Sequence, residues 1–384
     1  MRAALTIFAI WAAGLGAAAQ FGKMSVAYPA LEQVYAAQAG IGIGVMLSIV
    51  GTVGLILGTT SGLWVARIGP RRAMVAALLL GALVSAVQMS FPPYPLMLAS
   101  RVLEGLSHLA IVVVGPTAIA GLAGGRGQGA AMTLWSSFFG VAYAVLFWIG
   151  PQILGAQGPG YLFGLHAGWM AALAAILWLL MPADPGVEIV AQRPSLLSEH
   201  RAIYASPFLA APAMAFACYA VTYVAVLTLL PSQMGEMGGF IGVAMPLVSI
   251  AVSLTLGVWL LGHMQAVALV EAGFVAAMIA AVGLWAFWAQ PTAVLFALAV
   301  AAALGIVQGA SFAALAELNP SPEDRAKAAG AIAQLGNLGT TTGTPMLVWA
   351  MEKAGQTGLA LFLIGFSALG IALHRLQAQR RSQR

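Results

Sequence analysis

Arg101, Glu104 and His108 fall within the stretch RVLEGLSH at spacings i, i+3 and i+7. In a helix those spacings put all three on one face, where a guanidinium, a carboxylate and an imidazole can hold an anion or pass a proton. The surrounding run from Leu96 to Ala123 is otherwise apolar. A bare charge at the centre of a bilayer costs roughly 2.5–3.5 kcal/mol even on insertion scales, so this face must meet partners or a wet cavity. Counting ~1.5 Å per residue from Leu96 places Arg101 about 8 Å, Glu104 about 12 Å and His108 about 18 Å along the helix. That is a ladder suited to proton relay from an outer mouth towards midplane. A fixed Arg101–Glu104 pair that braces helices, with His108 packed and neutral, is the competing reading.

Other polar residues within apolar runs are candidates for a central cavity: Gln20, Lys23, Trp135, Ser136, Tyr143, Gln308, Gln334 and Asn337. Amides and hydroxyls there either contact a ligand or link helices, and Lys23, near the end of its run, either faces the cavity or snorkels to the headgroups. Glu271 is expected to pair near the inner surface, and His166, His263 and His374 to lie at interfaces. Arg101 and Lys23 lean toward an organic anion as substrate, while the ten Trp residues also suit drug-like efflux. No Walker loop, His-Glu-x-x-His pair or carboxylate cluster is present, so neither enzyme chemistry, a cofactor nor a metal site is expected. The single cysteine, Cys218, excludes an internal disulfide.

Charged residues make up 7% of the 384 and hydrophobic residues 61%, far from the roughly 25% charged of a soluble domain. Such a chain is an all-α membrane protein. Apolar segments run over 3–28, 41–65, 73–90, 96–123, 130–154, 161–181, 207–231, 240–263, 265–289, 292–316, 327–351 and 357–375, each near the roughly 20 residues a spanning helix needs. Met1–Ala19 lacks a convincing cleavage site and is read as part of a retained first helix. The polar segment 182–206 separates a six-helix half, 1–181, from a second, 207–384. Lys and Arg then gather on one side, with Lys353 alone in the outer loops, which places both termini in the cytoplasm. The net charge of +5 needs no nucleic-acid partner, and the basic tail after Arg375 meets lipid headgroups.

The halves repeat one another. RGQGAAMTLWSSFFG, from Arg126, and RAKAAGAIAQLGNLG, from Arg325, share an Arg, a small-residue run and a Gly at one spacing, as in transporters built from two parallel repeats.

GLWVARIGPRR, residues 62–72, resembles the inner-loop motif of the major facilitator superfamily, with Gly62, Arg67, Gly69 and Arg71 in register. Ala66 stands where that motif has Asp and Pro70 at a basic position, which puts the inner latch in doubt. RVLEG resembles the superfamily's fourth-helix motif, with Glu104 in place of the usual Gln. The resemblance, which covers essentially the whole chain, implies a twelve-helix secondary transporter of the inner or plasma membrane. It implies a monomer that moves a small organic solute by alternating access, with protons as the coupling ion. An uncoupled facilitator, a multidrug-type efflux protein or a non-transporting receptor of the same fold are the alternatives. The overall texture is weakly similar to cyanate-permease-like members.

Overall fold

The computed structural model describes residues 2–58, 65, 68–123, 131, 134–135, 137–184 and 196–383, and every regular element among them is helical. Helix is what hydrocarbon imposes, because it satisfies backbone N–H and C=O groups within the segment. Ten helices among the described residues are long and apolar enough to cross a membrane, and Ile41–Leu57 is a shorter apolar helix. The last of the ten breaks into two spans at Gly355, where φ is 54° and ψ −132°. Together these account for the twelve segments of the hydropathy pattern.

The chain divides into two compact units, Met1–Ala39 with Ile49–Gln192, and Gly40–Ser48 with Arg193–Arg384. In chain order the first unit holds α1 (Arg2–Val26) and α2 (Tyr28–Val34), while α3 (Ile41–Ser48) belongs to the second. The first continues with α4 (Thr52–Leu57), α5 (Pro70–Gln88), α6 (Tyr94–Leu122), α7 (Phe138–Gln157) and α8 (Pro159–Leu180). Helix α1 touches α6, α7 and α8, and α5 lies against both α6 and α8. Ile10, Met74, Leu78, Ile111, Met170 and Leu177 are the fully buried centre of its apolar core. Tyr35 closes the segment after α2 by donating its hydroxyl to the Pro92 carbonyl at 2.7 Å, and burial pushes its phenol up to about 12.

The second unit comprises α3, then α9 (Leu196–Ala205), α10 (Ala210–Gln233), α11 (Gly238–Val252), a π-helical turn Ser253–Gly257, α12 (Val258–Leu261), α13 (Ala266–Ala286), α14 (Ala293–Leu318) and α15 (Pro322–Ser382). Residues 40–48 fall here because Gly44 lets α3 lie on α15: a Cβ at Gly44 would come within 2.9 Å of the Pro345 Cα. Helices α10 and α15 pack closely. A Cβ on Gly339 would lie 2.7 Å from the Val221 nitrogen and 2.8 Å from the Ala217 carbonyl oxygen, the small-residue contact that helix pairs in lipid favour. Ser321 starts α15 by accepting the Asp324 N–H at 3.0 Å, a side-chain N-cap, while its hydroxyl donates to Asp324 Oδ2 at 2.8 Å.

Candidate functional site

Inside the first unit, Lys23 of α1, Arg101 and Glu104 of α6 form one ionic cluster, and all three side chains are 0% exposed. The Lys23 ammonium donates to Glu104 Oε1 at 2.6 Å, to Ser85 Oγ of α5 and, at 3.2 Å, to His166 Nδ1 of α8. Its three protons thus meet three acceptors. Arg101 Nη1 donates to Glu104 Oε2 and, at 2.7 Å, to the Gln20 carbonyl. Gln88 of α5 adds an N–H to Glu104 Oε2 at 3.0 Å and another to Ser100 Oγ at 3.1 Å. Lys23 also lies 5.0 Å from the Phe163 ring centroid, a cation–π distance.

The backbone of α1 is the scaffold. His166 Nε2 lies 2.9 Å from the Gly16 carbonyl, His108 Nδ1 3.0 Å from the Ala17 carbonyl, and Trp169 Nε1 3.1 Å from that of Ala12. A carbonyl only accepts, so each ring nitrogen facing one carries the proton. His166 Nδ1, which also meets Ser85 Oγ at 2.6 Å, is then the lone-pair nitrogen of a neutral imidazole. Gln20 donates to Ser107 at 2.9 Å, while the amide oxygens of Gln20 and Gln88 are buried without a donor.

The sequence-derived ladder is therefore a closed knot. Arg101 and Glu104 turn inward to α1 and α5 because a bundle with one carboxylate and two cations lowers its electrostatic energy by gathering them around that carboxylate. Only His108, half-buried and edge-on to Phe21 at 5.1 Å, retains any exposure. Lys23 is sealed, and His166 is drawn into the knot from its expected interface. Ser85, Gln88 and Ser100 escaped the sequence reading, although Ser85 and Gln88 share a helix face at i, i+3 and Ser100 sits beside Arg101. A crevice of about 220 Å³ between α1, α7 and α8 reaches Lys23 and His166 along walls that include Leu15, Val145, Leu165 and Trp169.

The other candidates lie elsewhere. Tyr143 is buried in a stack with Phe139 and Phe147, its hydroxyl 3.3 Å from Ser25 Oγ. Trp135 packs in the core against Phe138. In the second unit Gln334 accepts from the Tyr204 hydroxyl at 2.7 Å and meets His200 Nε2 at 3.0 Å, and burial pushes Tyr204 up to about 12, so it stays a donor. Asn337 donates to the Ala333 carbonyl at 2.8 Å, and Gln308 is half-buried. Glu271 pairs with Arg375 at 3.2 Å. His374 is buried with neither ring nitrogen bonded. Among the described residues no group of three or more His, Cys, Asp or Glu is placed to hold a metal ion.

Of the inner-loop motif, Gly62 and Arg67 lie outside the described residues, as does Ser136. Gly69 precedes α5 with φ 92°, a conformation open to glycine, and Pro70 starts the helix. Asp184 then caps it: its carboxylate accepts the Arg71 N–H at 2.7 Å and the Arg72 N–H at 3.1 Å, placing an anion on the positive end of the helix. The Arg71 guanidinium stacks on Trp178 at 4.1 Å. An acid from the segment after α8 thus sits at the motif whose own acidic position is Ala66.

The family profile described as Major Facilitator Superfamily matches residues 7–344. A bacterial homologue of the human lysosomal transporter Spinster, solved inward-facing and unoccupied, superposes with a TM-score of 0.76 at 13% identity over 98% of this chain and 97% of its own. A D-xylose–proton symporter does so with a TM-score of 0.74 at 16% identity over 97% and 96%. No curated protein matches the chain in sequence at a significant level. With the profile spanning nearly its whole length, the chain belongs to the Major Facilitator Superfamily.

Proposed function

We propose that this secondary transporter is proton-coupled, carries a small organic solute as a monomer of the inner or plasma membrane with both termini cytoplasmic, and couples through the Lys23–Glu104–Arg101 cluster. The observation that carries the reading is the sealing of three formal charges inside the first unit. Bracing alone does not call for them, since well-packed apolar residues of similar volume do that work as well or better than a buried ion group. Ionisable groups held in the membrane interior are instead the hallmark of ion and proton pathways. The symporter among the structural relatives moves protons by its own description, in agreement with this reading. The asymmetry of Lys and Arg between loops supports the orientation.

The test begins with a thermal-shift screen of metabolites and drugs on purified protein to find a ligand. Proteoliposomes with an internal pH indicator then report whether that ligand carries protons with it. Solute-dependent pH change in the wild type, absent in Glu104→Gln, is expected. Solute movement with no pH change overturns the coupling and leaves the uncoupled facilitator, for which the cluster is bracing.

A further inference from the structure

We propose that the proton exchanged by this cluster is carried on Lys23, with Ser85 and His166 as its acceptors, while Glu104 stays ionised throughout as the fixed counter-ion. This rests on the proton-coupled reading above and names the group within it.

The charge count carries the assignment. The spanning helices of the first unit contain one carboxylate, Glu104, and it is shared by two cations, so the sealed cluster holds one positive charge in excess. Protonating Glu104 would raise that excess to two with no anion left, the most unfavourable arrangement available in a low-dielectric interior. Releasing a proton returns the cluster to neutrality. Arg101 cannot release one, because a guanidinium stays charged in proteins. Polar and titratable groups reach the cluster from the neighbouring helices. Helix α6 brings Arg101, Glu104 and His108, α8 brings His166, and α7 brings Tyr143 on the Ser25 side. Helix α5 brings Ser85 and Gln88, which do not titrate in this range. His166 gives its Nε2 proton to the Gly16 carbonyl and turns Nδ1 to Lys23, and His108 gives its Nδ1 proton to the Ala17 carbonyl.

The geometry also supplies the step. Lys23 Nζ stands 3.2 Å from His166 Nδ1, and Ser85 Oγ, hydrogen-bonded to Nζ, stands 2.6 Å from the same nitrogen. An Nζ–H bond breaks and its electron pair stays on nitrogen as the amine lone pair. The proton joins the Nδ1 lone pair of His166, directly or by passing across Ser85, which gives up its own hydroxyl proton and takes the one from Lys23. Water at an open stage of the cycle then takes the proton from the imidazolium. The neutral amine left behind still accepts or donates to Ser85, and Glu104 keeps Arg101 and Gln88.

Only three lysines are present, Lys23, Lys327 and Lys353, so the assignment is directly readable. Full-length protein labelled with ¹⁵Nζ-lysine and ¹³C-carboxyl glutamate is reconstituted in phosphatidylcholine vesicles and titrated by solid-state NMR from about pH 6 to about pH 9. The Lys23 signal, identified by its loss in Lys23→Gln, is expected to shift from the ammonium to the amine frequency, while the Glu104 carboxyl stays ionised. A Lys23 signal that remains ammonium across the range, or a Glu104 carboxyl that protonates within it, overturns the assignment. Proton coupling itself stands or falls separately, on the flux measurement. In that assay Lys23→Arg, which keeps the charge but cannot release a proton, is expected to lose solute-linked proton flux, and retained flux overturns the role. The wild-type titration decides the question should the variant fail to fold.

Discussion

Glu104→Gln removes one oxygen's charge and almost no volume, yet the structure makes it a severe change. The carboxylate takes bonds from Lys23 at 2.6 Å, from Arg101 and from Gln88 at 3.0 Å, all three of them donors. An amide at this position offers one acceptor oxygen and turns its NH2 group toward another donor, so one side of it faces Lys23, or Arg101 and Gln88, without a bond. Two sealed cations are left with no anion. Breaking a buried ionic group in this way costs about 3–5 kcal/mol, and for a unit of roughly 150–250 residues each kcal/mol moves the thermal midpoint by about 2–4 °C, which amounts to about 6–20 °C. Lys23→Met should cost less, about 1–3 kcal/mol for the lost donor to Oε1, because it leaves the neutral Arg101–Glu104 pair intact. The assay is intrinsic tryptophan fluorescence during thermal unfolding of the detergent-purified variants. A Lys23→Met midpoint as low as that of Glu104→Gln would refute the charge count.

Asp184→Ala should lower stability by about 1 kcal/mol, the usual value of an N-cap carboxylate, with Asp184→Asn recovering most of it in the same unfolding assay. Gly339→Leu should depress the yield of folded protein sharply in size-exclusion chromatography, since its side chain would meet the α10 backbone at Val221; even Ala there overpacks the contact by about 1–3 kcal/mol. Arg375→Ala should move the midpoint by less than the equivalent of about 1 kcal/mol, because Arg375 is largely exposed in its pair with Glu271. Cys218 is buried and should resist maleimide in folded protein, which makes Gln356→Cys a clean topological probe: an impermeant maleimide added outside cells should label it, and protection there would reverse the orientation.

The twelve spans and the superfamily were legible because both are written in one dimension, as runs of apolar residues and as a spacing of Gly and Arg. The knot was half legible. Arg101 and Glu104 stood out as charges in an apolar run, but their direction did not, since helix periodicity defines a shared face without saying which neighbour it meets. Lys23 and His166, 143 residues apart in sequence, become partners only when α1, α5, α6 and α8 are packed together. Ser85, Gln88 and Ser100 are ordinary residues whose part depends wholly on what they touch. Gln is the usual residue of the resembled motif at position 104, where this chain has a carboxylate paired with Lys23. The Asp184 cap was hidden for the same reason: the motif's spacing is local, and the acid that serves it comes from 113 residues further along the chain.

Among the described residues the buried lysine, arginine and glutamate side chains all belong to the first unit, while the second keeps its Glu271–Arg375 pair at an exposed edge. A membrane voltage acts only on charge within its field, with about 2.3 kcal/mol per elementary charge carried fully across 100 mV. The two halves therefore differ as electrical objects. Any displacement of the first unit's cluster along the field is weighted by voltage in proportion to the depth it moves and to its net charge at that instant, whereas the interior of the second unit can shift without electrical work. Transport currents and their voltage dependence should accordingly track substitutions in α1 and α6 and be indifferent to those in the spans of α10 and α14.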